Sequence, residues 1–150
     1  MPQSLVKNYI HLVFSTKNRQ NLIHKTIQSQ LYAFIVGVCK KLDSPLLAIG
    51  GTENHIHILC SLSKKIALAE LVKNIKAASS HWLKGQGEIY KSFYWQRGYG
   101  AFSVNPTQIS IVETYIHNQE EHHRTKGFQD ELKAFLQKYQ IVYDEHYLWD

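Results

Sequence analysis

The sequence predicts an α+β fold in which strands and helices follow one another in the order β-α-β-β-α-β, with further helices after the last strand. Three observations predict this order. Short β-rich apolar runs recur along the chain, two long segments repeat apolar residues at helical spacing, and glycine or proline separates most of these segments. The 150 residues are 44% hydrophobic, which predicts a single domain over residues 1–150 with a packed core.

The first half of the chain supplies three predicted strands and one helix. The run YIHLVFS predicts a strand over residues 9–15, and a polar turn follows it. Apolar residues at 3.6-residue spacing predict a helix over residues 26–42. Two short apolar runs, residues 46–49 and 55–61, are close enough to pair as a hairpin.

The second half supplies the remaining elements. We expect a helix over residues 67–83 and a strand over residues 94–104 that is bent or interrupted at Gly98 and Gly100. A third helix is expected over about residues 107–121 with Thr107 as its N-cap, and a last helix near residues 128–139. The order is that of the ferredoxin-like, or RRM-like, arrangement, an antiparallel sheet with two helices on one face. Because many unrelated functions use this fold, function has to be inferred from particular side chains.

Composition limits the classes of function. No run approaches the ~18 apolar residues of a membrane-spanning helix, and the N-terminal segment lacks the features of a signal peptide. Cys39 and Cys60 lie in apolar segments without CxxC spacing, which indicates buried free thiols and a cytoplasmic protein. The 17 Lys and Arg against 12 Asp and Glu, a net charge of +5, favour a polyanionic partner such as nucleic acid.

The segment TENHIHILCS, residues 52–61, contains the first candidate site. Alternate residues of a strand face the same way, so His55 and His57 project from one face with α-carbons ~6.6 Å apart. Two imidazoles at this spacing can converge on one metal ion. The alternative is two exposed histidines on the open face of the sheet. The HxH pattern is not specific, and a metal would need a third ligand that the strand does not supply.

The third predicted helix supplies a candidate nucleophile and a candidate ligand. Tyr115 and Gln119 are separated by four residues, so they share one face of the helix. If this helix crosses the open face of the sheet, Gln119 can be the third ligand and Tyr115 can face a group bound to the metal. Each residue taken alone has a simpler interpretation, a half-buried aromatic and a solvent-exposed amide. His123, four residues further on, is another candidate ligand or DNA contact, and a solvated helix end is its alternative.

Taken together, these motifs resemble a known family. HIHIL, residues 55–59, is similar to the histidine-hydrophobic-histidine signature of HUH single-strand nucleases. YIHNQ, residues 115–119, is similar to the Tyr-x-x-x-Gln helix of the single-tyrosine transposases of the IS200/IS605 type. HLVFSTKNR, LVKNIKAASSHWL and WQRGYGAFSV resemble further segments of that family, in the family's order, over about residues 9–132. WQRGYGAFSV and NQEEHH are also similar to the related REP-associated tyrosine transposases.

The resemblance implies a metal-dependent transposase that acts on single-stranded DNA during excision and integration of an insertion sequence. It implies that His55, His57 and Gln119 bind Mg²⁺ or Mn²⁺, which polarises the scissile phosphate. Tyr115 would then attack, leaving a 5′-phosphotyrosine and a free 3′-OH that allows strand transfer without ATP. Two imidazoles and an amide favour Mn²⁺ over Mg²⁺. A tyrosine with a pKa near 10 needs activation, and no general base is evident in the sequence.

The resemblance also implies the partners. The substrate would be single-stranded DNA with hairpin ends, and the enzyme would be a homodimer in which the histidine pair of one subunit meets the tyrosine helix of the other. No membrane partner is expected. Lys17 and Arg19, after the first strand, and Arg97, before the Gly98 bend, are candidate DNA contacts. An ordinary surface charge is the alternative for each of the three.

Two other functions remain as alternatives to the active transposase. A domesticated REP-associated transposase or a catalytically silent nucleic-acid-binding protein could have the same fold, but the intact set of His55, His57, Tyr115 and Gln119 favours retained chemistry. A replication-initiator nuclease of the HUH type usually has a longer chain with helicase or origin-binding regions. The 150 residues leave no room for such additions.

Overall fold

In the computed structural model, which describes residues 2–150, four strands form one antiparallel sheet. The strands are β1 (Tyr9–Ser15), β2 (Leu46–Gly51), β3 (His55–Ser61) and β4 (Gly100–Val104). Their order across the sheet is β2-β3-β1-β4, so β3 and β1 are central. Because β2 and β3 pair as a hairpin while β3 and β4 flank β1, this is the predicted ferredoxin-like topology, and the α+β fold class is confirmed.

Two long helices cover one face of the sheet. The helices of the chain are α1 (Lys25–Lys41), α2 (Leu68–Lys84), α3 (Ile109–His117), α4 (Gln119–His122) and α5 (Phe128–Lys138). The main core contains Ile56 and Ile58 of β3 together with buried residues of α1 and α2. Cys39 and Cys60 are free thiols buried in this core, as predicted. None of the helices in residues 2–150 has the length and apolar character that a membrane span needs.

The opposite face of the sheet is covered by the C-terminal helices α3–α5. Val13 of β1 packs with Leu132 of α5 in one apolar cluster, and Leu59 of β3 packs with Ile116 of α3 in another. The third helix therefore crosses the face of the sheet that α1 and α2 leave open. Because both faces are covered, β1 and β3 are buried along nearly their whole length.

The strand predicted over residues 94–104, bent or interrupted at Gly98 and Gly100, is interrupted, and its regular part β4 begins only at Gly100. Before β4, only an isolated bridge between Thr16 and Trp95 continues the sheet. Lys76 of α2 binds the segment before β4, because its Nζ donates hydrogen bonds to the carbonyl oxygens of residues 96–98 at 2.6 to 3.1 Å. These carbonyl groups are bound to the Lys76 ammonium, and Gln96 bonds to β1 through its backbone N–H, which donates to the carbonyl oxygen of Ser15.

The predicted third helix is interrupted. Asn105 Oδ1 accepts a hydrogen bond from the Thr107 backbone N–H at 2.9 Å, so Asn105 is the cap and Thr107 is not. A 3₁₀ turn over residues 106–108 precedes α3, and Asn118 separates α3 from α4 with φ −99° and ψ 22°. Gln119 therefore begins a new short helix, one turn beyond Tyr115.

A close backbone approach positions α3 on the sheet. A Cβ added to Gly50 of β2 would lie 2.3 Å from the carbonyl oxygen of Ile116. Only glycine permits this separation, because any other residue would collide with backbone that cannot rotate away. The position of the helix that carries Tyr115 thus depends on Gly50.

Replacing Gly50 by alanine should destabilise the protein by about 1–3 kcal/mol, since the added methyl group must push α3 from β2. Gly37→Ala is the matched control, because Gly37 lies at an exposed position of α1 and a Cβ added there would meet no atom within 4 Å. That control should gain about 0.5–1 kcal/mol from helix propensity. Urea denaturation measures both. Equal stability of Gly50→Ala and wild type would contradict the close approach.

Candidate functional site

The histidine pair lies between the sheet and the C-terminal helices. His55 and His57 project from β3 on the same side, with ring centroids 5.2 Å apart, and both are 0% exposed. The alternative of two solvent-exposed histidines is therefore wrong. Buried imidazoles need hydrogen-bond or metal partners, because an unsatisfied buried polar group is costly.

Tyr115 of α3 and Gln119 of α4 reach the histidine pair. Gln119 is buried, and its Oε1 lies 3.0 Å from His55 Nε2. Tyr115 is half-buried, with its ring centroid 5.8 Å from that of His57. The structure therefore brings together the four residues that the sequence predicted for the site.

Glu131 of α5 lies at the centre of the cluster. Its Oε1 is 2.9 Å from His57 Nε2. Its Oε2 accepts hydrogen bonds from the Tyr115 hydroxyl and, at 3.2 Å, from the Gln119 side-chain amide. Glu131 is not among the residues predicted from the sequence. The signal that could have found it is its position on the apolar face of α5, three residues after Phe128 and four before Phe135.

His123 is a further member of the cluster. Its Nε2 lies 3.0 Å from Gln119 Oε1 and 3.3 Å from Glu131 Oε1. The ligand atoms of four residues lie within 4.8 Å of one another and could hold a metal ion: His55, His57, His123 and Glu131. The structure thus places the additional candidate ligand His123 beside the predicted ones, and not at a solvated helix end.

His11 of β1 is the second site residue that was not predicted from the sequence. It is buried, and its Nε2 lies 2.8 Å from His57 Nδ1. Its position alternates with the core residues Ile10 and Leu12, which could have indicated that it faces the same side as the histidine pair. A partner on the second ring nitrogen fixes the orientation of a metal-binding histidine.

Burial controls the charge of the site. Burial, with a smaller contribution from nearby His57, lowers the pKa values of His11 and His55 from 6.5 to about 3, so both are neutral at pH 7. Burial alone would raise the pKa of Glu131, but hydrogen bonds from His123, His57 and Tyr115 outweigh it and hold the carboxylate ionised. Burial and the bond to Glu131 raise the pKa of Tyr115, which is a neutral phenol at rest.

The hydrogen-bond pattern of His55 suits a cation. His55 Nδ1 lies 2.7 Å from Asn54 Oδ1, an atom that only accepts, so Nδ1 carries the hydrogen. The neutral ring then has a bare lone pair on Nε2. This lone pair faces Gln119 Oε1, another acceptor, while the Gln119 amide nitrogen donates to Glu131. Acceptors that face one another repel unless a cation binds both, so the residues present fit a divalent metal ion.

Comparison with known proteins places this arrangement in a family. The family model described as "Transposase IS200 like" matches residues 4–119. This chain belongs to the IS200-like transposase family. The matched segment of the transposase includes the histidine pair, Tyr115 and Gln119, but it ends before Glu131.

Two solved structures have the same fold as this transposase. A candidate transposase from Deinococcus radiodurans R1 has a TM-score of 0.61 and 18% identity, covering 79% of this chain and 96% of its own. A REP-associated tyrosine transposase bound to a REP hairpin has a TM-score of 0.61 and 17% identity, covering 82% of this chain and 73% of its own. No curated protein matches the sequence.

The candidate DNA contacts of the transposase lie around one groove. Lys17 and Arg97 are exposed and line a groove of about 490 Å³ together with Tyr94 and Trp149. The guanidinium of Arg19 lies over the Trp149 ring, 5.2 Å from its centroid. The structure therefore gathers the three predicted basic residues beside exposed aromatic rings, a combination that suits unpaired nucleotides.

The metal-free transposase should lose stability as the pH falls from 7 to 5. Folded His11 and His55 stay neutral down to a pKa of about 3, whereas the unfolded chain takes up protons near pH 6.5. The stability that the two rings contribute is therefore complete above pH 6.5 and is lost as the pH falls toward 3, at roughly 1.4 kcal/mol per pH unit and proton. Urea denaturation in EDTA at several pH values measures this slope.

Two histidine variants test the origin of the slope. His11→Gln removes one of the two protonation sites and should make the dependence on pH shallower. His146→Gln, at an exposed position, should leave it unchanged. The same slope in His11→Gln and wild type would contradict the assignment to buried neutral histidines.

Proposed function

We propose that this transposase is a metal-dependent enzyme that cleaves and rejoins single-stranded DNA, with Tyr115 as the nucleophile. The observation that carries the proposal is the position of the Tyr115 hydroxyl at the edge of a buried cluster of metal-ligand side chains, where it donates a hydrogen bond to Glu131. A half-exposed phenol beside such a cluster can reach a phosphate from solvent while the ligands stay enclosed.

His55, His57 and Gln119 are the proposed metal ligands, as the family resemblance implies. A divalent ion held there, Mg²⁺ or Mn²⁺, supplies Lewis-acid stabilisation of the charge that develops on the phosphate. The imidazole donors favour Mn²⁺. His11 would orient the His57 ring through its contact with Nδ1, and Asn54 would orient His55 in the same way.

The nucleophilic step follows from the contacts of Tyr115. The phenol oxygen forms a bond to phosphorus as the bond from phosphorus to the 3′ oxygen breaks, which leaves a 5′-phosphotyrosine. Glu131 Oε2 already accepts the phenol hydrogen bond and is the nearest acceptor for the proton. The departing 3′ oxygen takes up one proton to become the free 3′-OH. Attack of another strand's 3′-OH on the phosphotyrosine reverses these steps and completes strand transfer in excision and integration.

Hairpin-ended single-stranded DNA is the proposed substrate. The similar REP-associated transposase was solved with a REP hairpin, which supports this class of ligand. Lys17, Arg19 and Arg97 would contact the phosphates, and Tyr94, which is 53% exposed, would stack on an unpaired base. A domesticated REP-associated function is the second candidate, supported by the resemblance of WQRGYGAFSV and NQEEHH to the REP-associated tyrosine transposases. Action in the cytoplasm and a single domain over residues 1–150 stay predictions.

A covalent adduct tests the nucleophile. Hairpin oligonucleotides labelled at the 3′ end should become attached to wild-type protein in Mn²⁺, because the 5′-phosphotyrosine retains the downstream fragment. The adduct should resist SDS, and none should form when EDTA is present during the incubation. Tyr115→Phe should form none, whereas Tyr147→Phe, which changes an exposed tyrosine outside the groove and the cluster, should form it. An adduct in Tyr115→Phe, or none in wild type across a hairpin panel, would show that the nucleophile is wrong.

We also propose a homodimer with sites composed in trans, as the family resemblance implies. Exchange at the connection between β4 and α3 would carry α3–α5 to the partner as a unit and preserve each contact described above. Mixing inactive His57→Ala with inactive Tyr115→Phe should then restore about a quarter of the wild-type adduct, because half of the dimers are mixed and each has one intact site. A mixture without adduct would place the complete site within one chain.

A further inference from the structure

Glu131 contacts the proposed metal ligands as well as Tyr115. Its hydrogen bond with the Tyr115 hydroxyl does not account for these further contacts. Its Oε2 contacts Tyr115, but its Oε1 faces the three imidazoles. The distances from Oε1 to the Nε2 atoms are 2.9 Å for His57, 3.3 Å for His123 and 3.7 Å for His55. One oxygen of the carboxylate is thus directed to the nucleophile and the other to the metal-binding nitrogens.

These separations match the edges of a coordination polyhedron. With metal-to-ligand bonds near 2.1 Å, adjacent donor atoms lie about 3.0 Å apart in an octahedron and about 3.4 Å apart in a tetrahedron. The contacts of Glu131 Oε1 with His57 at 2.9 Å and His123 at 3.3 Å lie near these values, whereas that with His55 at 3.7 Å is longer. Gln119 Oε1 lies 3.0 Å from the Nε2 atoms of both His55 and His123. The donor atoms therefore need little movement to surround one ion.

The buried charge of Glu131 also indicates that a cation binds at the cluster. The Glu131 side chain is only 2% exposed, and within residues 2–150 its ion-pair partners are histidines, never lysine or arginine. A buried carboxylate without a permanent cation is costly, and a divalent ion at the cluster would offset that cost.

We propose that Glu131 is an anionic metal ligand, joined by His123, so that the C-terminal helices complete the metal site of this chain. The inference rests on the proposed function for His55 and His57 and extends the ligand set beyond residues 4–119, the segment that matches the family. Three imidazoles and a carboxylate would hold Mn²⁺ in the absence of DNA and would select it over Mg²⁺. The carboxylate also joins the metal to the nucleophile through a single side chain.

Direct Mn²⁺ titration of the full-length protein without DNA tests the inference. Isothermal calorimetry and the loss of the free Mn²⁺ signal in electron paramagnetic resonance both report affinity independently of cleavage. Glu131→Gln keeps the shape of the side chain, and its affinity should be at least about 10-fold lower than that of wild type. Asp130→Asn, the matched control, removes the same charge from the neighbouring exposed position and should stay within about twofold.

Thermal unfolding tests whether a folding defect lowers the Mn²⁺ affinity of Glu131→Gln. In EDTA, Glu131→Gln should unfold in one cooperative transition at a Tm below that of wild type, because the hydrogen bonds that hold the carboxylate ionised are weakened, and its Mn²⁺-dependent shift is measured from that baseline. Mn²⁺ should raise the Tm of wild type and of Asp130→Asn, and it should leave that of Glu131→Gln nearly unchanged. His123→Gln should show a smaller loss of the same Mn²⁺-dependent shift.

The two proposals fail in different ways. Wild-type Mn²⁺ affinity in Glu131→Gln would overturn the role of Glu131 as a ligand, while the covalent adduct at Tyr115 would still stand. Absence of Mn²⁺ binding by wild type would also overturn it, whatever the adduct assay gives. Tyr115→Phe should bind Mn²⁺ as wild type does, so that loss of its adduct tests the nucleophile alone.

Discussion

The structure depends on a sheet whose central strands are buried on both faces. Ile56 and Ile58 of β3 are directed into the core under α1 and α2, so His55 and His57 must be directed into the opposite layer. Two polar rings with no exposure require partners. The C-terminal helices meet this requirement, because they exclude water from the second face and bring hydrogen-bonding groups to the histidines.

In the layer that α3–α5 form on the sheet, apolar contacts and polar side chains occupy separate positions. Val13 and Leu132 belong to an apolar cluster on one side of the histidines, and Leu59 and Ile116 belong to another on the opposite side. The polar cluster lies between them, away from bulk water, where electrostatic interactions are strong. Tyr115 is at the solvent edge, in a cavity of about 180 Å³ whose other lining residues include His122, Lys126 and Lys138. Glu131 also lines this cavity, so the opening beside Tyr115 combines two lysines with a buried carboxylate.

The Glu131 carboxylate connects the histidine pair with Tyr115 and Gln119. It contacts His57 through one oxygen and the Tyr115 hydroxyl through the other, and Gln119 of α4 donates to it. A shift of α5 would therefore alter the surroundings of the histidine pair and of the phenol together. In this chain, a helix outside the segment that matches the family is part of the site.

The sequence by itself determined the strand and helix order and the faces on which the site residues lie. Strand alternation puts His55 and His57 on one side, and the four-residue spacing puts Tyr115 and Gln119 on one side of the tyrosine helix. These rules relate a residue to its own element, so they need no knowledge of how elements pack. Only the tertiary structure decided that Lys76 binds the segment before β4 and that His11 and Glu131 meet the histidine pair. Those contacts join residues distant in the sequence, and their geometry follows from how the helices pack on the sheet, which local periodicity does not specify.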